Sequence, residues 1–181
     1  TPLKNDGVTL LRPAICDQAS GEVGEGRMLE AQEIFDALLA SLSNKSGALS
    51  GKRVLLTAGP TFEAIDPVRG ITNSSSGKMG FALARACAEA GAEVTLVAGP
   101  TVQLTPAGVA RIDVTSALQM RDAVFSHLAG QDIFIGVAAV ADYRPEIVAD
   151  QKIKKKDAEL TIRLVPNPRI LAEVAAKKDA A

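Results

Sequence analysis

Residues 73–80, which read NSSSGKMG, suggest phosphate binding because they contain the Gly-Lys pair of phosphate-binding loops. A Walker A loop has the pattern G-x-x-x-x-G-K-[ST], in which the loop size sets the amide cradle and the hydroxyl holds magnesium. Here six residues separate Gly70 from Gly77, and Met79 stands where that hydroxyl is needed. The stretch is therefore not a P-loop.

What remains of this idea is a candidate anion site at the start of a helix. Free backbone N–H groups and hydroxyl groups would meet at the positive end of that helix, and such an end binds anions. Serine before a helix often does no more than cap it, so the segment supports capping and anion binding equally. The residues concerned are Ser74, Ser75, Ser76 and Gly77.

A dinucleotide-binding fingerprint is also missing. The first predicted strand is followed by AGPTFEAIDPVRG, which contains no G-x-G-x-x-G turn into a helix. The second strand ends at Ala98 and Gly99, with no acidic residue there for a ribose hydroxyl. These departures argue against an NAD-dependent oxidoreductase.

Other polar stretches follow the later elements. Asp142, Tyr143 and Arg144 end the most hydrophobic predicted strand, and NPRIL (residues 167–171) opens a helix. His127, the only histidine, lies on another helix and is interpreted as structural, so a His-based triad or metal cluster is not expected. The run KIKKK could neutralise charge that develops on phosphates, or be only a solvated face. Its lysines are Lys152, Lys154, Lys155 and Lys156.

The elements that must position these residues alternate between strand and helix patterns from residue 53 onward. This alternation predicts an α/β fold, a doubly wound, mostly parallel Rossmann-like sheet with helices on both faces. Ligands bind at the carboxyl ends of such strands, and the first connection is unusually long, about twenty residues where two to six are usual. The predicted strands are RVLLTAG, EVTLVAG, ARIDV, DIFIGVAAVA and ELTIRLV; the predicted helices are GKMGFALARACAEAGA, SALQMRDAVFSHL with Ser116 as cap, and one that starts near Pro168.

Bulk properties describe an ordinary globular domain with a short appendage. The chain has 181 residues, a net charge of −1 and 3% aromatic residues, which argues against nucleic acid or a membrane as the main partner. Two cysteines are too few for a disulfide framework and favour the cytoplasm. Before residue 53, a turn-rich stretch, SGEVGEG (Ser20 to Gly26), precedes an amphipathic helix predicted over Ala31 to Leu42. The chain lacks an initiator Met, so we interpret it as a piece of a longer protein.

Four blocks together resemble phosphopantothenoylcysteine synthetase, the phosphopantothenate–cysteine ligase of coenzyme A biosynthesis. They are TAGPTFEAIDPVRGITNSSSGKMGFALA, IGVAAVADYRP, KIKKK and VPNPRIL, in that order. DGVTLLRP and GEVGEGRMLE resemble the tail of the decarboxylase domain to which bacterial versions are fused. The resemblance implies a decarboxylase remnant over residues 1–42, a linker over 43–51, and a ligase domain over 52–181 that is truncated at its C-terminal end.

The resemblance implies a CTP-dependent reaction. CTP activates the carboxylate of 4'-phosphopantothenate as an acyl-cytidylate, pyrophosphate leaves, and the amine of cysteine then displaces CMP, with Mg²⁺ assisting. FMN would belong only to the missing decarboxylase domain. Homo-dimeric ligase domains within a larger homo-oligomer are expected, without nucleic acid or membrane partners. The alternative is a non-catalytic Rossmann-like nucleotide-binding or assembly module.

The resemblance also assigns residues. Asn73 matches the asparagine that contacts the acyl-phosphopantothenate portion, and Lys152 matches the lysine that binds CTP and supports amide formation. From helix-terminus physics, Ser74, Ser75, Ser76 and Gly77 are expected to face the substrate's phosphate or pantothenate arm. Positions that match nucleotide contacts are Gly136, Val137, Ala138, Asp142, Pro168, Arg169, Ile170 and Leu171.

Three departures from the family pattern concern completeness. The chain stops shortly after Lys178, whereas the family continues with a strand and further lysines. The decarboxylase part lacks its flavin-binding and histidine segments, so no decarboxylation is expected. Ser20 stands where that family has a reactive cysteine, and Cys16 does not replace it. These departures leave open whether the fragment alone is active.

Overall fold

The computed structural model describes residues 11, 14–17, 23–42, 47–155 and 159–179. They belong to two compact units, Thr1–Asn44 and Lys45–Ala181. The first unit contains β1 (Ala14–Asp17), β2 (Val23–Arg27) and α1 (Ala31–Leu42). The helix has its predicted bounds, but the turn-rich interpretation of SGEVGEG is wrong from residue 23 onward, because β2 pairs antiparallel with β1. Ser20 lies outside the described residues.

The second unit holds the predicted alternation of strands and helices. Within the described residues, no helix is both long and apolar enough to cross a bilayer. Its elements are β3 (Arg53–Ala58), β4 (Phe62–Asp66), β5 (Arg69–Thr72), α2 (Lys78–Glu89), β6 (Glu93–Ala98), β7 (Val109–Asp113), α3 (Ala117–His127), β8 (Ile133–Gly136), β9 (Tyr143–Pro145), β10 (Leu164–Pro166) and α4 (Ile170–Asp179).

A four-stranded parallel sheet in the order β7-β6-β3-β8 forms the centre of this unit. Successive side chains of β3 point to opposite faces, as the two-residue period of a strand requires. Val54 and Leu56 pack with α2 in one core cluster. Leu55 packs with α3 and α4 in the other. Helices therefore cover both faces, which confirms the predicted α/β fold.

Local sequence signals set the helix ends. Ser116 forms a capping box at the start of α3, where its hydroxyl accepts from the Gln119 N–H at 3.3 Å, as predicted for this serine. Gly91 follows α2 with φ of +93°, a conformation that stops a helix and that glycine adopts without strain. Gly80 lets α2 approach β3 closely, since an added Cβ would lie 2.4 Å from the Cβ of Ala58.

The later strands differ from their predicted extents. The strand DIFIGVAAVA ends at Gly136, because the next two backbone N–H groups turn to the hydroxyl of Thr57 instead of a strand. The predicted ELTIRLV strand is wrong before Leu164 and does not join the parallel sheet. Only β10 forms, antiparallel to β9, which offers three residues and one proline. The final helix begins at Ile170, two residues after Pro168.

The long first connection contains a β-hairpin, which the sequence patterns did not predict. β4 and β5 pair antiparallel, with a register shift between Ala64 and Asp66. Glu63 is buried and accepts from the first N–H of α3, at Ala117, over 2.9 Å. The hairpin is thereby attached to the rest of the unit.

Candidate functional site

The carboxyl ends of β3, β6 and β8 meet at one edge of the sheet. The N–H of Ala139 donates to the carbonyl of Gly59 at 2.9 Å, so the exits of β8 and β3 touch. The exits of β3 and β6 also approach closely. A Cβ added to Gly99 would lie only 1.7 Å from the carbonyl oxygen of Pro60. This is the edge at which ligands of open α/β sheets bind.

Asn73 is brought to this edge by the hairpin. The hydroxyl of Thr72 donates to the carbonyl of Thr61 at 2.7 Å, which closes the base of the hairpin. The side-chain amide of Asn73 then donates to the carbonyl of Ala139 at 3.0 Å. Residues 66 positions apart thus meet, and Asn73 joins the exit of β8.

The exit of β8 is shaped by a buried threonine. The hydroxyl of Thr57 accepts from the N–H groups of Val137 and Ala138, at 3.2 and 3.3 Å. Both amides are therefore already bonded, and what this segment can offer a ligand is carbonyl oxygen. Gly136 is exposed, and a Cβ there would lie 3.9 Å from Cδ1 of Leu171. The exit of β8 and the start of α4 are thus neighbours.

Asn167 joins the Asp142 loop to the start of α4. It is buried, its backbone N–H donates to the carbonyl of Asp142 at 2.8 Å, and its side-chain amide donates to the carbonyl of Ala141 at 2.8 Å. Arg144 donates to its side-chain oxygen at 3.2 Å. The structure therefore brings Asp142 next to the 168–171 segment.

Within that segment the side chains differ in accessibility. Arg169 and Leu171 are exposed and Pro168 is half-buried. Ile170 packs into the core with α3, so only its backbone is free to contact a ligand. Asp142 is exposed. The accessible side chains of this set are thus those of Asp142, Arg169 and Leu171.

Lys152 lies on a segment that is attached to the hairpin by a buried carboxylate. The N–H of Ile153 donates to Asp66 at 3.0 Å, and Arg69 donates to the carbonyl of Ile153 at 2.9 Å. The pKa of Asp66 is well below its usual value, mainly through its hydrogen bonds with Arg69 and then those from backbone N–H groups. Lys152 is exposed, and no described acidic side chain pairs with it. Lys156 lies outside the described residues.

The serine-rich segment does not cap α2 by a side chain. Gly77 is the N-cap, with φ of +75° and no side-chain capping bond. Ser75 accepts from the N–H of Gly77 at 3.3 Å, and Thr101 donates to the carbonyl of Ser76 at 2.9 Å. Simple serine capping is therefore excluded, and Ser74 and Ser76 are exposed.

A groove of about 460 Å³ lies elsewhere, between α2 and the segment that follows β6. None of the residues assigned by resemblance lines it. Its walls include Lys78, Phe81, Arg85, Val102 and Leu104. Lys78 and Phe81 belong to the first of the four family blocks, but no residue of the other three blocks lines this groove, whereas several of the blocks meet at the sheet edge.

Within the described part of the chain, a metal site or a protein nucleophile would require suitably placed side chains. No group of three or more His, Cys, Asp or Glu side chains there is arranged to hold a metal ion. Cys87 is buried in an apolar cluster, and this burial raises the pKa of its thiol. His127 lies on α3, where its Nδ1 is 2.9 Å from the carbonyl of Ala123, one turn earlier.

Sequence analysis did not assign a structural role to four residues of the site, which are Thr57, Thr61, Asp66 and Asn167. All four are buried and polar, and each bonds backbone groups distant in sequence. The Asp-Pro-Val-Arg-Gly turn was a signal for Asp66, because aspartate commonly accepts from backbone groups two and three residues on. Asn before a Pro that opens a helix was a weaker signal for Asn167.

We expect Asn167→Ala to destabilise the domain by about 1–3 kcal/mol, because it leaves the buried carbonyl of Ala141 without its donor and removes an acceptor of Arg144. Urea unfolding followed by circular dichroism would measure the loss. Gln151→Ala, at an exposed position, is the control and should change stability by less than about 0.5 kcal/mol. Equal losses in the two variants would contradict a structural role for Asn167.

Comparison with known proteins identifies relatives of this chain. A family model described as the DNA/pantothenate metabolism flavoprotein C-terminal domain matches residues 49–181. The coenzyme A biosynthesis bifunctional protein CoaBC of Vibrio cholerae is 58% identical over 166 residues, which cover 91% of this chain and 41% of that protein. The chain thus spans about two fifths of the length of this curated relative.

Solved structures show the same fold. The C-terminal domain of a coenzyme A biosynthesis bifunctional protein CoaBC superposes with a TM-score of 0.65 at 47% identity, over 74% of this chain and 63% of that one. A mutant of Cab2 in complex with phosphopantothenate-cysteine has a TM-score of 0.60 at 19% identity, over 79% of this chain and 63% of that one. At that identity the likeness concerns the fold alone.

Proposed function

Because the chain belongs to the DNA/pantothenate metabolism flavoprotein C-terminal domain family, we propose that it is the ligase part of a bifunctional enzyme of coenzyme A biosynthesis. The proposed reaction joins 4'-phosphopantothenate to L-cysteine at the expense of CTP. The name of the Vibrio cholerae relative supports the pathway. The arrangement of the sheet edge supports the chemistry.

The reaction has two steps. The carboxylate of 4'-phosphopantothenate attacks the α-phosphorus of CTP, a P–O bond forms, and pyrophosphate leaves with the electron pair of the broken bond. The amine of cysteine then attacks the acyl carbon, loses a proton as the amide forms, and releases CMP. Neither step needs a protein nucleophile, because positioning and electrostatic stabilisation can lower both barriers.

One contact carries the proposal, the hydrogen bond of 3.0 Å from Asn73 to the carbonyl of Ala139. An acyl-cytidylate is a single molecule whose acyl and nucleotide portions share one phosphate. Residues that bind its two portions must therefore lie side by side. The family resemblance assigns Asn73 to the acyl portion and residues 136–138 to the nucleotide, and this contact makes the two sets neighbours.

The remaining roles follow from charge and accessibility. In this proposal, the exposed Asp142 and Arg169 contact the nucleotide, as does the backbone of residues 136–138. The exposed ammonium group of Lys152 neutralises phosphate charge and stabilises the second step. The hydroxyls of residues 74–76 and the start of α2 face the phosphate or pantothenate arm.

Cofactors and assembly belong to the same proposal. The described residues contain no ready-made metal cage. A magnesium ion would accordingly enter with the CTP phosphates, which is how Mg²⁺ is commonly held in nucleotide sites. FMN would serve only the decarboxylase domain. We further propose the division into residues 1–42, 43–51 and 52–181, a homo-dimer of ligase domains within a larger homo-oligomer, and a cytoplasmic location.

Titration calorimetry and pyrophosphate release test this function in the full-length protein. We expect CTP to bind at least about tenfold more tightly than ATP or NADH, which corresponds to about 1.4 kcal/mol. Pyrophosphate should appear when 4'-phosphopantothenate is added, and CMP when cysteine follows. CTP binding without pyrophosphate release would favour the alternative, a non-catalytic nucleotide-binding module. Binding of NADH but not of CTP would contradict the ligase proposal.

A further inference from the structure

A buried carboxylate holds the peptide that follows Lys152. The side chain of Asp66 lies at the end of β4 and is 0% exposed. Its Oδ1 accepts from the backbone N–H groups of Val68 and Arg69, at 3.0 and 2.9 Å. Its Oδ2 accepts from the guanidinium of Arg69 and, at 3.0 Å, from the N–H of Ile153. The carboxylate thus ties the hairpin turn to a segment 87 residues away.

The same ion pair also bonds the backbone carbonyl of Ile153. Nη2 of Arg69 donates to the carbonyl of Ile153 at 2.9 Å, so both backbone groups of Ile153 are held by one Asp–Arg pair. The N–H of Ala149 adds a bond of 3.0 Å to the carbonyl of Ile65. Asp66, Arg69 and Ile153 form a unit, which we name the Asp66 clamp.

The hydrogen bonds of Asp66 leave neither of its oxygens free to take part directly in catalysis. Both of its oxygens are occupied by donors, and the group is shielded from solvent. It could act as a base or a metal ligand only by giving up those donors. What its contacts do is fix the path of the backbone at residue 153.

The clamp holds backbone and leaves lysine side chains accessible. Ile153 is half-buried, whereas Lys152 and Lys154, on either side of it, are exposed. Fixing a residue costs about 1–2 kcal/mol of conformational free energy, and a clamp present before substrate binds removes that cost from the reaction. A catalytic lysine on such a segment gains a defined starting position.

We propose that Asp66 is a positioning residue, which holds the backbone next to Lys152 and so sets where the lysine ammonium group can reach. The inference rests on the proposed function for the role of Lys152, whereas the clamp itself rests on the contacts alone. Asp66→Asn keeps the size of the side chain but directs an amide group at donors, so it should open the clamp.

The rate of trypsin cleavage reports how often the clamped segment opens, and it does not depend on enzyme activity. In native full-length protein, Asp66→Asn should raise the rate of cleavage after Lys152 and Lys154 at least roughly tenfold, because cleavage needs local opening. Cleavage after the exposed Arg85 on α2 reports global unfolding and should change little. Asp132→Asn is the matched control. Asp132 also accepts a hydrogen bond from a backbone N–H, that of Arg53 at 2.8 Å, and it pairs with Lys52. It lies beside the first residue of β3, at the end of the sheet opposite to the candidate site.

A double-mutant cycle separates positioning from a general structural effect. We expect Asp66→Asn to slow amide formation roughly tenfold and Lys152→Gln roughly 100-fold, with the double variant no slower than Lys152→Gln alone, because residues that act as one unit are not additive. Additive losses, near 1,000-fold, would overturn the proposal. Unchanged trypsin cleavage in Asp66→Asn would overturn it as well.

A second variant covers the case in which Asp66→Asn does not fold. Ile153→Pro deletes the N–H donor from the partly exposed side of the clamp and leaves the ion pair intact. Trypsin cleavage after Lys154 and Lys155 should then rise, and unchanged cleavage there would overturn the proposal. If the unaltered protein releases no pyrophosphate, the proposed function fails, while the trypsin result still decides whether the clamp holds the segment.

Discussion

Replacement of Lys152 by Gln should slow amide formation by roughly 10²- to 10³-fold, the usual cost of removing one preorganised group that stabilises developing charge. The side chain is exposed and has no described acidic partner, so its charge is available to phosphate. For the same reason the free energy of unfolding should change by less than about 0.5 kcal/mol. Single-turnover measurements with preformed acyl-cytidylate would isolate this step.

Lys155→Gln is the matched control for that experiment. It removes the same charge from an exposed lysine three positions along the same run. A specific role for Lys152 requires that Lys155→Gln retain most of its turnover. Equal losses in both variants would show that only the net charge of the run matters, and full turnover in Lys152→Gln would remove this residue from the mechanism.

Gly99→Ala should have the largest effect on the fold, a loss of roughly 3 kcal/mol or more, at the upper end of what overpacking costs. The new Cβ would stand 1.7 Å from the carbonyl oxygen of Pro60, and a backbone oxygen cannot move aside as a side chain can. The exits of β3 and β6 would have to separate. CTP affinity should therefore fall together with stability, measured by titration and by urea unfolding.

Gly136→Ala provides the comparison for Gly99→Ala. The nearest atoms to its new Cβ would be 3.8 and 3.9 Å away, an ordinary contact distance. Its free energy of unfolding should therefore change by less than about 1 kcal/mol. If Gly99→Ala proves equally mild, the close approach of the two strand exits is not needed for stability.

Strong local patterns in the sequence predicted the longer strands and helices. The apolar run of β3 and the helical spacing of α1 are each complete within a few residues, so their bounds follow from the sequence. The hairpin was not predicted, because β4 and β5 are only five and four residues long and their pairing is irregular. Such short strands carry too little periodicity to be distinguished from a loop.

The candidate site was predicted as residues but not as contacts. Resemblance assigned Asn73 and Lys152, yet nothing local indicates that Asn73 reaches Ala139 or that Asp66 reaches Ile153. The residues at which strands end also depend on contacts that are distant in sequence. DIFIGVAAVA is apolar after its first residue, but the N–H groups of Val137 and Ala138 bond to Thr57, a residue 80 and 81 positions earlier. Buried polar partners of this kind depend on tertiary packing, which periodicity does not encode.

The hairpin also bears on the order in which the domain is completed during synthesis. Its bonds to Ala117, Ala139 and Ile153 span 54, 66 and 87 residues. None of them can form until the later partner has left the ribosome, and such distant contacts are slow to close. A nascent chain that ends after β8 has all four strands of the parallel sheet but neither the Asn73 contact nor the Asp66 clamp. In the order of synthesis, the residues of the parallel sheet are therefore complete before those of the candidate site.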